Sequence, residues 1–125
     1  MKIGKSLAII QILLLTSSCS QNIPADRLGC YRSVNAPEVK LDGNVIWFKT
    51  TPAIKSDYKF YKGRYSETIE PGQGFVLLPL ADGKWSLGMD NTRKTILVYD
   101  YYDKNLLQMA APSGGSIIWK RSSCK

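Results

Sequence analysis

The sequence predicts an all-β fold, a small antiparallel closed or nearly closed barrel of the meander type, with a β-sandwich as the alternative. Three observations carry this. Beyond residue 28 the apolar positions alternate with a period of two, and no stretch shows the 3.6-residue period of an amphipathic helix. Turn-forming clusters recur at intervals of roughly eight to twelve residues, the spacing of sandwiches and barrels. The chain has 125 residues, 44% of them hydrophobic, enough for one domain. So many short strands would expose edges in an open sheet, which favours closure.

The turns come first. Asp42-Gly43-Asn44 and Asp82-Gly83-Lys84 read as hairpin turns, because glycine accepts the positive φ of tight primed turns. Pro71-Gly72-Gln73-Gly74, Asp90-Asn91, Asp103-Lys104-Asn105 and Ser113-Gly114-Gly115 supply further breaks. The runs between them are Gly29–Val34, Val39–Leu41, Val45–Lys49, Asp57–Lys62, Arg64–Ile69, Gly74–Leu80, Trp85–Met89, Thr95–Tyr101, Leu106–Ala110 and Ser116–Arg121. Alternation then puts Trp85, Leu87 and Met89 on one face, Tyr58, Phe60 and Lys62 opposite Lys59 and Tyr61, and Ile117 and Trp119 opposite Ile118 and Lys120. An interior packed with Trp47, Trp85 and Trp119 would leave no room for a small molecule.

Residues 1–18 read as a secretory signal peptide, expected to be helical. Lys2 and Lys5 precede an apolar run, Leu7 to Leu15, and small residues Thr16, Ser17 and Ser18 follow. About ten apolar helical residues cover about 15 Å, half of a hydrocarbon core of roughly 30 Å, so the segment is too short to span. Residues 19–27 are expected to be a tether and residues 28–125 the single barrel domain.

Leu15-Thr16-Ser17-Ser18-Cys19 resembles the lipobox of bacterial lipoproteins, with Thr16 where that family carries leucine. The resemblance implies lipidation of Cys19 and attachment to the cell membrane or outer membrane. Ser20, which is not the aspartate that retains such proteins at the inner membrane of enterobacteria, implies the outer membrane in a Gram-negative host. The alternative uses Ser18 and Ser20 as an ordinary signal-peptidase site and leaves a soluble secreted or periplasmic chain beginning at Gln21. Each buried methylene of an acyl chain contributes about 0.8 kcal/mol, so two chains hold the domain without a spanning helix. The eight residues from Ser20 to Arg27 reach at most about 28 Å.

With Cys19 acylated, Cys30 and Cys124 remain at the two extremities of the domain, and an exported compartment favours a disulfide between them. Two cysteines in a chain with no histidine do not complete a tetrahedral metal site, and no glycine cluster leads from a strand into a phosphate-binding helix. Neither a metal nor a cofactor is expected. Removing Lys2 and Lys5 with the leader leaves 15 basic residues against 10 acids, a net charge of about +5. That balance favours anionic partners, namely lipid head groups, acidic glycans or acidic proteins. Export argues against nucleic acid.

Two clusters are candidate sites. Lys55, Lys59, Lys62 and Arg64, interleaved with Tyr58, Phe60, Tyr61 and Tyr65, set cations beside aromatic faces and suit phosphate or carboxylate groups. Tyr99, Tyr101 and Tyr102, with Asp100 and Asp103, form an aromatic candidate that suits a carbohydrate. Catalysis is not expected: histidine is absent, and Glu67 with Glu70 or Asp100 with Asp103 stand three residues apart, on opposite faces of a strand.

Gly29-Cys30-Tyr31 near the start and Trp119-Lys120-Arg121 near the end resemble the layout of lipocalin-like barrels, in which a Gly-x-Trp strand meets a late basic residue; Tyr31 replaces the tryptophan. Lys62-Gly63-Arg64-Tyr65-Ser66 resembles a loop of lysozyme-inhibitor lipoproteins. The function expected is a non-catalytic, lipid-anchored envelope module that binds an anionic component or protein, with a periplasmic hydrolase inhibitor as the alternative.

Overall fold

The computed structural model describes residues 21–112 and 114–124; the leader and Cys19 lie outside them. Ten strands form: β1 (Gly29–Arg32), β2 (Val39–Asp42), β3 (Val45–Phe48), β4 (Ile54–Lys62), β5 (Glu67–Pro71), β6 (Phe75–Pro79), β7 (Trp85–Met89), β8 (Leu97–Tyr99), β9 (Leu106–Ala110) and β10 (Ser116–Ser122). Eight of them close into an antiparallel barrel in the order β1-β2-β3-β4-β5-β8-β9-β10, with β10 returning to β1. The expected meander barrel is therefore the fold, and the sandwich is not. One feature differs. Strands β6 and β7 leave the meander and pair with each other as a separate hairpin.

The period of two explains the interior. Val39 and Leu41, Ile46 and Phe48, Leu97 and Tyr99, Leu107 and Met109, and Ile117 and Trp119 all point inward and are buried. Phe75, Leu77 and Leu87 of the hairpin join the same core, and the Phe75 ring meets Phe48 edge-on at 4.7 Å between centroids. The hairpin thus stoppers one end of the barrel. Trp119 is fully buried, and its indole N–H donates to the Pro37 carbonyl at 2.8 Å. Trp47 and Trp85 do not share that interior. Trp47 lies on the outer wall, because Ile46 and Phe48 take the inward positions on either side of it. Trp85 is half-buried at the foot of the hairpin, where its N–H donates to the Asn35 carbonyl, and Met89 at the other end of that strand is 66% exposed. The dry face expected along β7 is confined to Leu87.

Alternating strand directions gather the β2–β3, β4–β5 and β8–β9 connections at the opposite end. The chain also enters there. Strand β3 is too short to cover all of β4, so β4 beyond Asp57 would present a bare edge on that side. Gln21 blunts that edge, its N–H donating to the Phe60 carbonyl at 2.8 Å. A 3-10 turn at Ala25–Arg27 then leads into β1. Residues 21–27 are packed on the barrel and do not hang from it as a free tether. A disulfide joins Cys30 to Cys124 with 5.2 Å between Cα atoms.

Candidate functional site: a rim of tyrosines and cations

At the end where the chain enters, two loops come together. The β4–β5 loop carries Lys62, Arg64 and Tyr65, and a hydrogen bond from the Gly63 N–H to the Ser66 carbonyl tightens it at 2.8 Å. The β8–β9 loop carries Tyr101, Tyr102 and Lys104, folded by the Asp100 carboxylate, which accepts from the N–H groups of Tyr102 (3.0 Å) and Asp103 (2.9 Å). Asp103 in turn accepts from the Asn105 N–H. These carboxylates are committed to the backbone, a common use of aspartate in turns.

The rings form a chain. Tyr65 and Tyr101 lie 6.4 Å apart between centroids, and Tyr101 meets Tyr102 edge-on at 4.9 Å. The Arg64 guanidinium stands 5.5 Å from the Tyr65 ring and the Lys104 ammonium 5.6 Å from Tyr101. Tyr65 is 66% exposed, Tyr101 54% and Tyr102 92%. Among the described residues neither Lys62 nor Arg64 takes part in an ion pair. Three open phenol rings bordered by Lys62, Arg64 and Lys104 offer stacking and charge at one surface.

A buried polar layer supports this rim. Glu67, at the start of β5, faces inward and is held by Arg27, Nε to Oε1 at 3.0 Å and Nη2 to Oε2 at 3.2 Å, with Lys104 at 4.0 Å. The bond to Glu67, against the cost of burial, raises the affinity of the Arg27 guanidinium for its proton. Tyr31 donates to the Arg27 carbonyl at 2.5 Å, so the 3.1 Å contact between the Tyr31 and Tyr99 hydroxyls must have Tyr99 as the donor. Burial pushes the Tyr99 hydroxyl far above the ordinary tyrosine range, and the bond to Tyr31 adds to the shift. Burial likewise pushes Tyr58 up to about 12; its hydroxyl donates to the Gly43 carbonyl at 2.7 Å.

The two sequence candidates are therefore divided and partly merged. Lys62 and Arg64 from one meet Tyr101 and Tyr102 from the other. Tyr99 belongs to the core, since Leu97 and Tyr99 take the inward positions of β8 and leave Val98 outside. Lys55 stands on the outer wall, 4.6 Å from the centroid of Trp47. Lys59 shares the outward parity of Lys55 and sits across from Glu70 of β5, while Lys62 has the opposite parity. The four cations do not form one patch. Sequence reasoning placed Tyr65 among the rings beside the first cluster but did not select Lys104 as a site member. A register placing the β4–β5 turn beside the β8–β9 loop was the missing information, and β6 and β7 intervene between these loops in sequence.

Glu67 and Glu70 fall on opposite faces of β5, the first held by Arg27 and the second 3.5 Å from Lys94. Among the described residues no cluster of three potential metal ligands occurs, and no helix is long and apolar enough to cross a membrane. Comparison of the chain with protein-family models, curated proteins and solved structures finds no match.

Proposed function

We propose that the chain is a non-catalytic, lipid-anchored module of the bacterial cell envelope that lays its rim of tyrosines and cations on anionic, phosphate-bearing lipid head groups. The observation that carries this reading is that the rim and the point of chain entry share one end of the barrel. Cys19 stands two residues before Gln21, a reach of about 7 Å at full extension. A lipid on that sulfur would bring the bilayer to the rim and away from the hairpin end. Phenol rings with wet hydroxyls suit the head-group depth, and each lysine or arginine close to an anionic surface contributes about 1 kcal/mol.

The test has two arms. Sedimentation with phosphatidylglycerol vesicles, against phosphatidylcholine vesicles, should show a preference that falls about thirtyfold in Lys62→Glu/Arg64→Glu, the equivalent of about 2 kcal/mol, and that weakens with salt. Equal partition of parent and variant overturns the rim assignment. Intact mass of the protein purified from membranes should show residues 1–18 removed and Cys19 acylated; a chain retaining Met1 overturns the anchor.

The protruding Lys62-Gly63-Arg64-Tyr65-Ser66 loop favours a second reading, inhibition of an envelope hydrolase by insertion of that loop, with Tyr65 at its tip exposed. A net positive chain would meet basic lysozymes with repulsion. Undiminished lysozyme activity at micromolar protein removes this reading.

A further inference from the structure

Unpaired N–H and C=O groups on a sheet edge invite pairing with another chain, so the covers of each edge are informative. The barrel closes on itself, and Gln21 covers the part of β4 that β3 leaves bare. On β6, the Thr95 hydroxyl accepts from the Phe75 N–H at 2.9 Å and donates to the Phe75 carbonyl at 3.2 Å, and Pro79 ends the strand with no N–H to offer. The far edge of β7 is covered only at its start. Asp90 donates to the Gly74 carbonyl and Leu80 to that of Lys84, so in this register the backbone groups of Trp85, Leu87 and Met89 point away from β6. The Trp85 N–H on that side donates to the Asn35 carbonyl at 2.7 Å; those of Leu87 and Met89 meet no backbone partner among the described residues. A groove of about 430 Å³ borders this edge, with Thr50, Pro52 and Ile54 across from it.

The residues along the edge specify its occupant. Trp85–Met89 carries neither a charge nor a proline, the usual guards of an exposed edge, and Met89 is 66% exposed. Charge stands only at the two ends, Lys84 before the strand and Asp90 after it. Lys84 takes part in no ion pair among the described residues, and the Asp90 carboxylate is held in place by Thr92 and Arg93. An antiparallel strand complementary to this edge carries an acid opposite Lys84, a base opposite Asp90 and uncharged residues between. The chain contains that strand, and it is β7 itself. A two-fold axis at Leu87 sets Lys84 of each copy across from Asp90 of the other. The same axis sets Trp85 across from Met89, on the face that Leu87 shares, where an indole beside a thioether is favourable. Leu87 then exchanges both backbone bonds with its counterpart, and the Met89 N–H donates to the Trp85 carbonyl.

We propose that β7 pairs with β7 of a second copy of this chain about a two-fold axis at Leu87, joining two hairpins into one continuous sheet, β6-β7-β7-β6. The test is sedimentation equilibrium of the purified full chain in density-matched detergent, from nanomolar to hundreds of micromolar protein. The parent should fit a monomer–dimer equilibrium. Met89→Pro removes an N–H that β6 does not use and should raise the dimer Kd about tenfold or more, whereas Met89→Leu should leave it within about twofold. Lys84→Glu sets like charges across both ends of the pairing and should also raise the Kd about tenfold, an effect that shrinks with salt. Lys84 is exposed and lies outside the strands, so this variant keeps the test decisive where the proline disturbs the hairpin. A parent that stays monomeric throughout overturns the proposal, whatever other protein the edge then binds. So does a dimer whose Kd is the same in the parent, Met89→Pro and Lys84→Glu.

Discussion

The Arg121 guanidinium lies 5.9 Å from the centroid of the Tyr31 ring and donates from Nη2 to the Leu28 carbonyl at 2.6 Å. The two residues are register partners across the β1–β10 seam. Nη1 of the same side chain reaches the Asp26 carbonyl and, at 3.4 Å, the Tyr31 hydroxyl. One arginine thereby ties the entering segment to the strands that close the barrel. Arg121→Met should lower unfolding stability by about 2–3 kcal/mol, the scale of lost hydrogen bonds from a charged donor. Arg121→Lys, with one point charge in place of a planar fork, should recover less than half. Urea unfolding with an unchanged slope is the check, and a midpoint equal to that of the parent contradicts the role.

Alkaline pH should find the tyrosines unequal. Tyr58 is raised to about 12 and Tyr99 further, while an unfolded chain ionises near 10. The native state therefore keeps protons that the unfolded state releases. The stability these groups contribute is whole below about 10 and falls as the pH rises from there through about 12. Tyr58→Phe and Tyr99→Phe should each flatten that decline, read as urea-unfolding stability against pH. A decline as steep in both variants as in the parent would refute the assignment.

Reduction of the disulfide should be costly. Its cysteines are 94 residues apart, and the loop-closure model gives about 4–5 kcal/mol, with measured losses commonly 2–5. Cys30→Ala/Cys124→Ala should lose unfolding free energy by that margin, seen as a lower urea midpoint.

Gly74 fixes the root of the hairpin. A Cβ there would stand 1.9 Å from the Arg93 carbonyl oxygen and 2.4 Å from that of Asp90, both backbone atoms. Gly74→Ala should cost about 2 kcal/mol through overpacking and speed amide exchange in β6 and β7 first. Gly43→Ala, whose Cβ meets nothing within 4 Å, is the control and should change stability by about 0.5 kcal/mol or less. Equal effects of the two substitutions would remove the packing argument.

The strands were legible because each declares itself locally, by alternation between turn residues. Gly83 does adopt the positive φ its turn sequence suggests, at 70°, and Asp82 joins it at 64°. Residues 64–66, expected to open a strand, instead form the turn before Glu67, and β4 starts three residues earlier than its apolar pattern suggested, at Ile54. The departure of β6 and β7 from the meander was not legible. Phe75, Leu77 and Leu87 alternate as barrel strands do, and alternation cannot say which sheet receives them. The same limit hid the rim, since parity separates Lys62 from Lys55 and Lys59 but only register brings Lys62 to Lys104. Trp47 shows it again: aromatic character suggested the interior, and its neighbours Ile46 and Phe48 had already claimed it.

The sulfur crosslink rivets the one seam of the ring that is made by strands from opposite ends of the polypeptide. Everywhere else around the circumference, with the exception of the junction spanned by the hairpin, neighbouring strands are also consecutive along the chain. A transient gap elsewhere in the wall then has no loose final strand to peel away, and it must heal where it began. Any pull on the segment that enters β1 is passed from that strand straight to its partner, and the hoop is loaded as a unit.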